Sequence, residues 1–262
     1  MYIKEIACEM KQNHEKSLEA NKLMLEQFEK FLLAGQIPDN LLSHLTLYFL
    51  TKFHKSALSF RLLVITGFDE DASVILRTLV EIAITLGYIS NKPDERADRF
   101  IEYEYINQYR LLQVIDKHFF DTVIDSERRN QIYNDYENNK HHYRNKTQWS
   151  DKSIAKMADE IGMSFWYDAV YKFDSSYVHS NISATRGFIK DGVDGLLLAV
   201  GPQVFSATDI ISKVCELSRM ILYTGFNNIG VDTTEMIETW NKAQELIKGE
   251  FRLLHNKENN FA

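Results

Sequence analysis

Apolar residues recur at helical spacing along most of the chain, with charged residues between them. Segment 3–34 predicts one long helix, whose apolar stripe consists of Ile3, Ile6, Met10, Leu18, Leu25, Phe28 and Leu32. Pro38 and Asp39 begin a second helix, which ends at Gly67. Further helices are predicted at about 69–90, 94–117, 152–161, 203–227 and 232–248, with a short one ending near 138. Another begins near 163 and carries Trp166, Val170, Phe173 and Tyr177 on one face.

The stretch "RGFIKDGVDGLLLAVGP" has a different pattern. Glycine turns separate Phe188–Ile189 from Leu196–Val200, which predicts a small β-hairpin near residues 187–200. The chain has only 3 Pro and 11 Gly, too few breakers for a sandwich or barrel. We therefore predict an all-α fold, a single helical bundle of about seven to nine helices with one hairpin, formed as one domain over 1–262.

Composition is that of a globular protein, with 45% hydrophobic and 26% charged residues among 262. The net charge of −7 argues against a broad nucleic-acid-binding face but leaves room for a local basic patch. Cys8 and Cys215 lie in apolar helical patterns and predict buried thiols rather than a disulfide. The longest uninterrupted apolar run, Leu196–Val200, is far shorter than a membrane span. We expect a soluble cytoplasmic protein that contacts no membrane.

Polar residues interrupt the apolar segment "DASVILRTLVEIAITLGYIS" at helical spacing. Arg77, Glu81 and Thr85 follow one another at i, i+4 and i+8, so they form one stripe on an otherwise apolar helix. A buried unpaired charge is costly. The stripe therefore predicts either a structural ion pair that locks neighbouring helices or a functional cleft, in which Arg77 holds an anion and Glu81 orients it or moves a proton.

A second polar cluster is "FDSSYVHSNIS". On a continuing helix Ser175 and His179 are i, i+4 neighbours and Ser176 lies close, so His179 is a candidate acid or base. The alternative is a helix-terminal histidine capped by serines. The basic loop "HHYRNK" offers Arg144 and Lys146 as candidate phosphate contacts, against the alternative of a solvated loop. Zinc, EF-hand, kinase and dinucleotide motifs are absent, so no metal or cofactor is expected.

The order of these features resembles the bacterial domain-of-unknown-function family 5677. The resemblance rests on "RTLVE", on "YVHSN" near a helix end, and on a turn-rich stretch before a long closing helix. It covers about residues 40–228, between the N-terminal helix 3–34 and the C-terminal helix and tail 232–262. It implies that Arg77, Glu81, Tyr177 and His179 are the family's polar signature, and it implies no activity.

The chain is similar, more loosely, to HEPN-type (higher eukaryotes and prokaryotes nucleotide-binding) helical RNases of bacterial toxin and anti-phage systems. Those enzymes carry Arg-x-x-x-x-His on one helix. No arginine here has histidine five residues later, and Asp174 stands where His179 would require that arginine. An RNase site would therefore need Arg77 to reach His179 from a different helix.

The residues support two functional hypotheses. The first is an effector of a bacterial defence or toxin–antitoxin system, acting as a metal-independent endoribonuclease or nucleotide-handling enzyme. Arg77, Glu81, Tyr177 and His179 would be catalytic, and Arg144, Lys146 and Ser176 would bind an RNA or nucleotide substrate. The second is a non-catalytic regulatory or scaffold module whose polar cluster is sealed and structural. Amphipathic first and last helices favour a homodimer, and a protein partner from the same operon is a further expectation.

Overall fold

A computed structural model describes residues 2–33, 37–119, 124–143, 148–172, 189–192, 195–198 and 201–259. The predicted all-α class is confirmed. The helices are α1 (Tyr2–Asn13), α2 (Glu15–Leu33), α3 (Leu41–Thr66), α4 (Asp69–Asn91), α5 (Pro93–Phe119), α6 (Ser126–Asn139), α7 (Ile154–Glu160), α8 (Ser164–Trp166), α9 (Thr208–Ile229) and α10 (Thr234–Asn259). A 3-10 turn, Lys140–His142, follows α6, and a π-helical turn, Tyr167–Tyr171, continues α8.

Within the described ranges the α-helices number ten, above the predicted seven to nine. Two short strands, β1 (Ile189–Gly192) and β2 (Gly195–Leu198), pair antiparallel, with Ile189 opposite Leu198. They lie inside the stretch 187–200, for which the sequence predicted a hairpin. Residues 193–194, which join the strands, lie outside the described residues.

Five long helices enclose the main core. The most extensive packing is between α3 and α4, while α9 contacts both α4 and α2, and α10 covers α2. The largest fully buried side chains include Phe28, Phe53, Phe60, Leu50, Leu76, Leu79, Ile84 and Ile89. This packing makes α4 the central helix and leaves its polar stripe to face the segment after α7.

Local signals explain where α3 and its neighbours begin and end. Asn40 caps α3, because its Oδ1 accepts a hydrogen bond from Ser43 N at 2.9 Å. Gly67 ends the helix in the left-handed conformation, φ +84°. Gln203 N donates to Gly67 O at 2.9 Å, so the segment before α9 closes over this turn. Ser153 caps α7 by accepting from Lys156 N at 3.4 Å.

The predicted single helix 3–34 is wrong, because a turn at His14 divides it into α1 and α2. The His14 imidazole lies 2.8 Å from Phe205 O and 3.2 Å from Thr208 Oγ1. Glu250 of α10 completes this buried cluster, accepting from Ser17 N at 3.0 Å, Ser17 Oγ at 2.5 Å and Thr208 Oγ1 at 2.7 Å. The carboxylate thus caps the first turn of α2, a partner that no local sequence pattern shows.

Two further boundaries and one thiol differ from the predictions. α9 begins at Thr208 rather than near 203, because the preceding backbone binds His14 and Gly67 instead of continuing the helix. α10 extends to Asn259 rather than to 248. Both cysteines are free, and Cys215 is buried as predicted, but Cys8 is exposed.

Helices α5 and α6 form an arm with its own small core. They pack mainly on each other, around Tyr103, Ile106, Tyr136 and Tyr143. The rings of Tyr109 and Tyr136 stack with centroids 3.8 Å apart. The arm is therefore a local unit joined to the main core through the first part of α5.

Helix α4 is long and apolar enough to cross a membrane. Among the described helices it alone meets that criterion, with a mean hydropathy of 1.6 over its most apolar window. Within the fold, 61% of that window is buried, as is typical of the central helix of a soluble protein. Arg77 and Glu81 interrupt the apolar residues of this helix, so the segment contains no long uninterrupted apolar run.

Candidate functional site

The stripe predicted on α4 is partly open to solvent. Arg77 is half-buried, Glu81 is exposed, and Thr85 is buried. Thr85 Oγ1 donates to Glu81 O at 2.8 Å, so its hydroxyl is hydrogen-bonded within the helix. The two charged residues are therefore the part of the stripe that can take part in chemistry.

Tyr171 links these two charged residues. Arg77 Nη2 donates to Tyr171 Oη at 2.7 Å, and the guanidinium carbon lies 4.1 Å from the centre of the tyrosine ring. The Tyr167 ring stacks against Tyr171 at 5.4 Å, which fixes the tyrosine over α4. Arg77 is thus held by both a hydrogen bond and a cation–π contact.

The electrostatics keep the Tyr171 phenol protonated. Burial raises the pKa of Tyr171 above its ordinary value, and the Glu81 carboxylate raises it further through its charge and a hydrogen bond. The Arg77 guanidinium opposes this rise in pKa. At neutral pH the hydroxyl can therefore accept from Arg77 while it donates toward Glu81.

Ion pairs anchor the segment that carries Tyr171. The Glu160 carboxylate at the end of α7 binds the buried Arg96 guanidinium and the Lys152 ammonium group. Hydrogen bonds from Lys152 and then Arg96 lower the pKa of Glu160 to about 2. Arg96 also donates to Tyr88 O at 2.6 Å. These contacts fix the segment from 152 onward against α4 and α5.

The arrangement joins three groups suited to one kind of chemistry. A guanidinium can grip an oxyanion through two parallel N–H groups. A phenol can donate a hydrogen bond to developing negative charge, and an exposed carboxylate can take up or release a proton. Arg77, Tyr171 and Glu81 therefore form a candidate site for an anionic substrate.

The sequence pattern does not identify Tyr171 as a site residue. The predicted helix from 163 has Trp166 and Val170 on one face and gives Tyr171 no role. The structure buries Val170, but the chain forms a π-helical turn over Tyr167–Tyr171, a distortion often found at functional sites. The available signal was the pair of tyrosines four residues apart in "YDAVY".

The remaining predicted site residues fall in two segments outside the described residues. Ser176, Tyr177 and His179 belong to 173–188, which directly follows Tyr171 and Lys172, and Arg144 and Lys146 belong to 144–147. The assignment of these five residues stays a prediction. Among the residues that are described, no group of three or more His, Cys, Asp or Glu could hold a metal ion.

Comparison with known proteins gives one match. The model of a family of unknown function, DUF5677, matches residues 43–196. The match begins close to the expected start of 40 but ends at 196 rather than near 228, so α9 lies beyond it. It includes Arg77, Glu81 and Tyr171. No curated protein and no solved structure matches the chain.

Proposed function

Because the chain belongs to DUF5677, whose function is unknown, its activity must be inferred from its own residues, and we propose an enzyme that acts on RNA or nucleotide phosphodiesters. The observation that carries the proposal is the open Arg77–Tyr171–Glu81 cluster. A purely structural ion pair predicts charges sealed from solvent, yet Glu81 is exposed and Arg77 is only half-buried. The cluster presents a positioned cation and an accessible carboxylate on one face.

The proposed reaction is metal-independent RNA cleavage. The 2′-oxygen attacks the adjacent phosphorus, the bond from phosphorus to the 5′-oxygen breaks, and a 2′,3′-cyclic phosphate forms. The step needs a base for the 2′-hydroxyl proton, an acid for the leaving oxygen and a cation for the negative charge on phosphorus. His179 is the proposed base, Tyr177 or Glu81 the acid, and Arg77 the cation.

Tyr171 adds a positioning role to this proposal. It holds the Arg77 guanidinium at a fixed angle through its hydroxyl and its ring. His179 lies eight residues after Tyr171 in the sequence. We propose that this short separation brings His179 to Arg77 from a different helix, as the missing Arg-x-x-x-x-His pattern requires. Ser176, Arg144 and Lys146 remain the proposed substrate contacts.

The test is RNA cleavage by the purified protein, without added metal and then with magnesium. We expect His179→Ala to lower the rate at least a hundredfold, as for loss of a general base, while the exposed His44→Ala leaves it unchanged. Arg77→Gln should lower the rate similarly, and Arg252→Gln should not. Tyr171→Phe should lower it about tenfold by freeing the guanidinium to move.

Thermal melts of every variant separate catalysis from folding. Activity lost at an unchanged melting temperature supports the proposal. If the wild-type protein cleaves no RNA under either condition, metal-independent cleavage by the isolated chain is wrong. Equal activity of wild type and His179→Ala would remove His179 from the mechanism.

A non-catalytic regulatory or scaffold module is the second candidate. The contact that favours it is the same bond from Arg77 to Tyr171, which joins α4 to the segment after α7. On this hypothesis Arg77→Ala destabilises the fold by a few kcal/mol, because buried polar partners lose their bonds. Urea unfolding of Arg77→Ala beside Arg252→Ala measures the difference. A small change in stability together with a large loss of activity would exclude the structural role.

The biological setting we propose is a bacterial defence or toxin–antitoxin system in the cytoplasm. Support comes from the all-helical fold and from the Arg77–Tyr171–Glu81 cluster, and the HEPN-type activity is part of the proposal. A homodimer and a protein partner from the same operon belong to the same proposal. Light scattering of the purified protein tests the dimer directly, with a mass near twice 30.6 kDa expected.

A further inference from the structure

A cavity of about 540 Å³ lies where three helices end. Asn91 is the last residue of α4, Glu160 is the last residue of α7, and Asn227 lies in the last turn of α9. All three line the cavity, whereas Arg77 and Glu81 of the candidate site do not. Its volume lies within the range of small-molecule sites, and it belongs to no function considered so far.

The buried part of the cavity is apolar and closed. Its apolar lining comes from α4, from the residues after α7 and from α9, namely Ala83, Gly87, Ile161, Met163 and Met220. Gly87 and Ile161 are in close contact, since a Cβ atom on the glycine would lie 2.9 Å from Ile161 Cδ1. A ligand therefore cannot pass between α4 and the end of α7, and it must lie in the open part of the cavity, among the polar side chains.

The open part of the cavity carries donors as well as acceptors. The side chains of Asn91, Tyr223 and Asn227 are exposed there. Each asparagine amide offers two N–H donors and a carbonyl acceptor, and the tyrosine hydroxyl can both donate and accept. These exposed groups can turn to suit a ligand that has hydrogen-bond donors and acceptors of its own.

Two further lining side chains are acceptors in fixed positions. Asn228 Nδ2 donates to Thr46 Oγ1 at 2.9 Å and to Ser90 Oγ at 2.8 Å, so its carbonyl oxygen remains for a ligand. Thr224 donates to Met220 O at 3.0 Å, so the lone pairs of its hydroxyl oxygen remain. Fixed acceptors beside adaptable amides match a hydroxyl group, which donates one hydrogen bond and accepts others.

The charges around the cavity favour a neutral ligand. Among the lining residues that the structure describes, Glu160 alone is ionised at neutral pH, and ion pairs with Arg96 and Lys152 balance its charge. Arg96 is buried, and neither cation lines the cavity within the described ranges. The C-terminal ends of α4, α7 and α9 add partial negative charge, which offsets the surplus positive charge of the ion pairs. The cavity is therefore close to neutral and is suited to neither a free anion nor a free cation.

We infer that this cavity binds a neutral polyhydroxylated ligand, a monosaccharide or a disaccharide. Neighbouring sugar hydroxyls can pair with the Asn91 and Asn227 amides. They can also donate to the fixed acceptors of Asn228 and Thr224. Tyr223, which is 45% exposed, can cover the C–H face of a sugar ring. The site is separate from the proposed cleavage activity and does not rest on it.

The experiment is saturation-transfer NMR of the whole protein with neutral sugars, followed by calorimetric titration of the sugars that bind. The probes are glucose, galactose, mannose, ribose, sucrose and trehalose, with glucose phosphate as an anion and spermidine as a cation. We expect saturable binding of at least one neutral sugar with a dissociation constant of about 1 mM or below. Glucose phosphate should bind no more tightly than glucose. Asn91→Ala and Asn227→Ala should each weaken sugar binding about three- to tenfold.

The matched control is Asn134→Ala, an exposed asparagine on α6, which should leave sugar binding unchanged. Binding of none of the neutral sugars by protein with a normal thermal melt would overturn the inference. Tighter binding of glucose phosphate than of glucose, or binding of spermidine alone, would overturn it as well, because the site would then select a charge. Unchanged sugar binding by both Asn91→Ala and Asn227→Ala would place the sugar outside this cavity. Since binding is measured without RNA, these results are independent of whether the chain cleaves RNA.

Discussion

The buried Glu250 carboxylate allows a direct test of how much one hydrogen-bonded charge contributes to the stability of the fold. It is 4% exposed and accepts hydrogen bonds from Ser17 and Thr208 beside His14. Burial alone would raise the pKa of Glu250, but the hydrogen bonds from His14, Ser17 and Thr208 outweigh it and lower the pKa from 4.5 to about 2. Glu250→Gln removes the charge at nearly constant volume.

The magnitude follows from linkage between proton binding and folding. A carboxyl with a pKa of about 2 in the folded state and 4.5 in the unfolded chain contributes about 3 kcal/mol to the free energy of unfolding. Because the folded pKa is the lower one, this stability is complete above pH 4.5 and is lost as the pH falls toward 2. Glu250→Gln should therefore cost about 3 kcal/mol at pH 7.

The assay is urea unfolding of wild type and Glu250→Gln at pH 7 and pH 3.5. We expect the difference in unfolding free energy to be roughly 1 kcal/mol smaller at pH 3.5, since the wild type has then lost part of the contribution. Glu238→Gln, an exposed change on the same helix, is the control and should be silent. A difference that is independent of pH, or below about 1 kcal/mol at pH 7, would refute the reasoning.

Gly67→Ala should cost about 3 kcal/mol, because φ is +84° and the added Cβ would meet backbone at 2.6 Å; Gly230→Ala, with φ +73° and open space, should cost only about 1 kcal/mol in the same urea titration. Glu160→Ala should destabilise the fold by about 3 kcal/mol, because it leaves the buried Arg96 guanidinium without its carboxylate. Adding Arg96→Met to Glu160→Ala should restore part of the lost stability. If the effects of the two substitutions on the free energy of unfolding were strictly additive in a double-mutant cycle, the pairing would be contradicted. Phe53→Ala, fully buried against Phe28, should lower the free energy of unfolding by about 3 to 5 kcal/mol, and a cost under 1 kcal/mol would contradict the packing.

Periodicity predicted most helices because apolar spacing is a local property. α4 and α5 lie within a few residues of their predicted bounds, and Gly67 ends α3 as expected. The break at His14 could not be predicted locally, since the residues that the His14 imidazole contacts, Phe205 and Thr208, lie far along the chain. Amphipathic spacing continues through such a break, so the pattern looks like one helix.

The residues of the candidate site also divide into those that the local sequence identifies and those that depend on the fold. Arg77 and Glu81 were identified because charges stand out in an apolar segment. Tyr171 was not, because a tyrosine near an apolar stripe resembles many core residues, and its role depends on a π-helical turn against α4. Tyr171 is the side chain that contacts both Arg77 and Glu81.

The cap on α2 has a consequence for the order of events during synthesis. Ser17 and its partner Glu250 are 233 residues apart. At about 5–20 residues per second, the carboxylate leaves the ribosome roughly 10 to 50 s after the helix it caps. Until then α2 lacks both this cap and the apolar face of α10, its main packing partner. Helix α2 is made long before α10 and is therefore among the last elements to reach its final structure. A nascent chain stopped before α10 would expose the α2 face to chaperones.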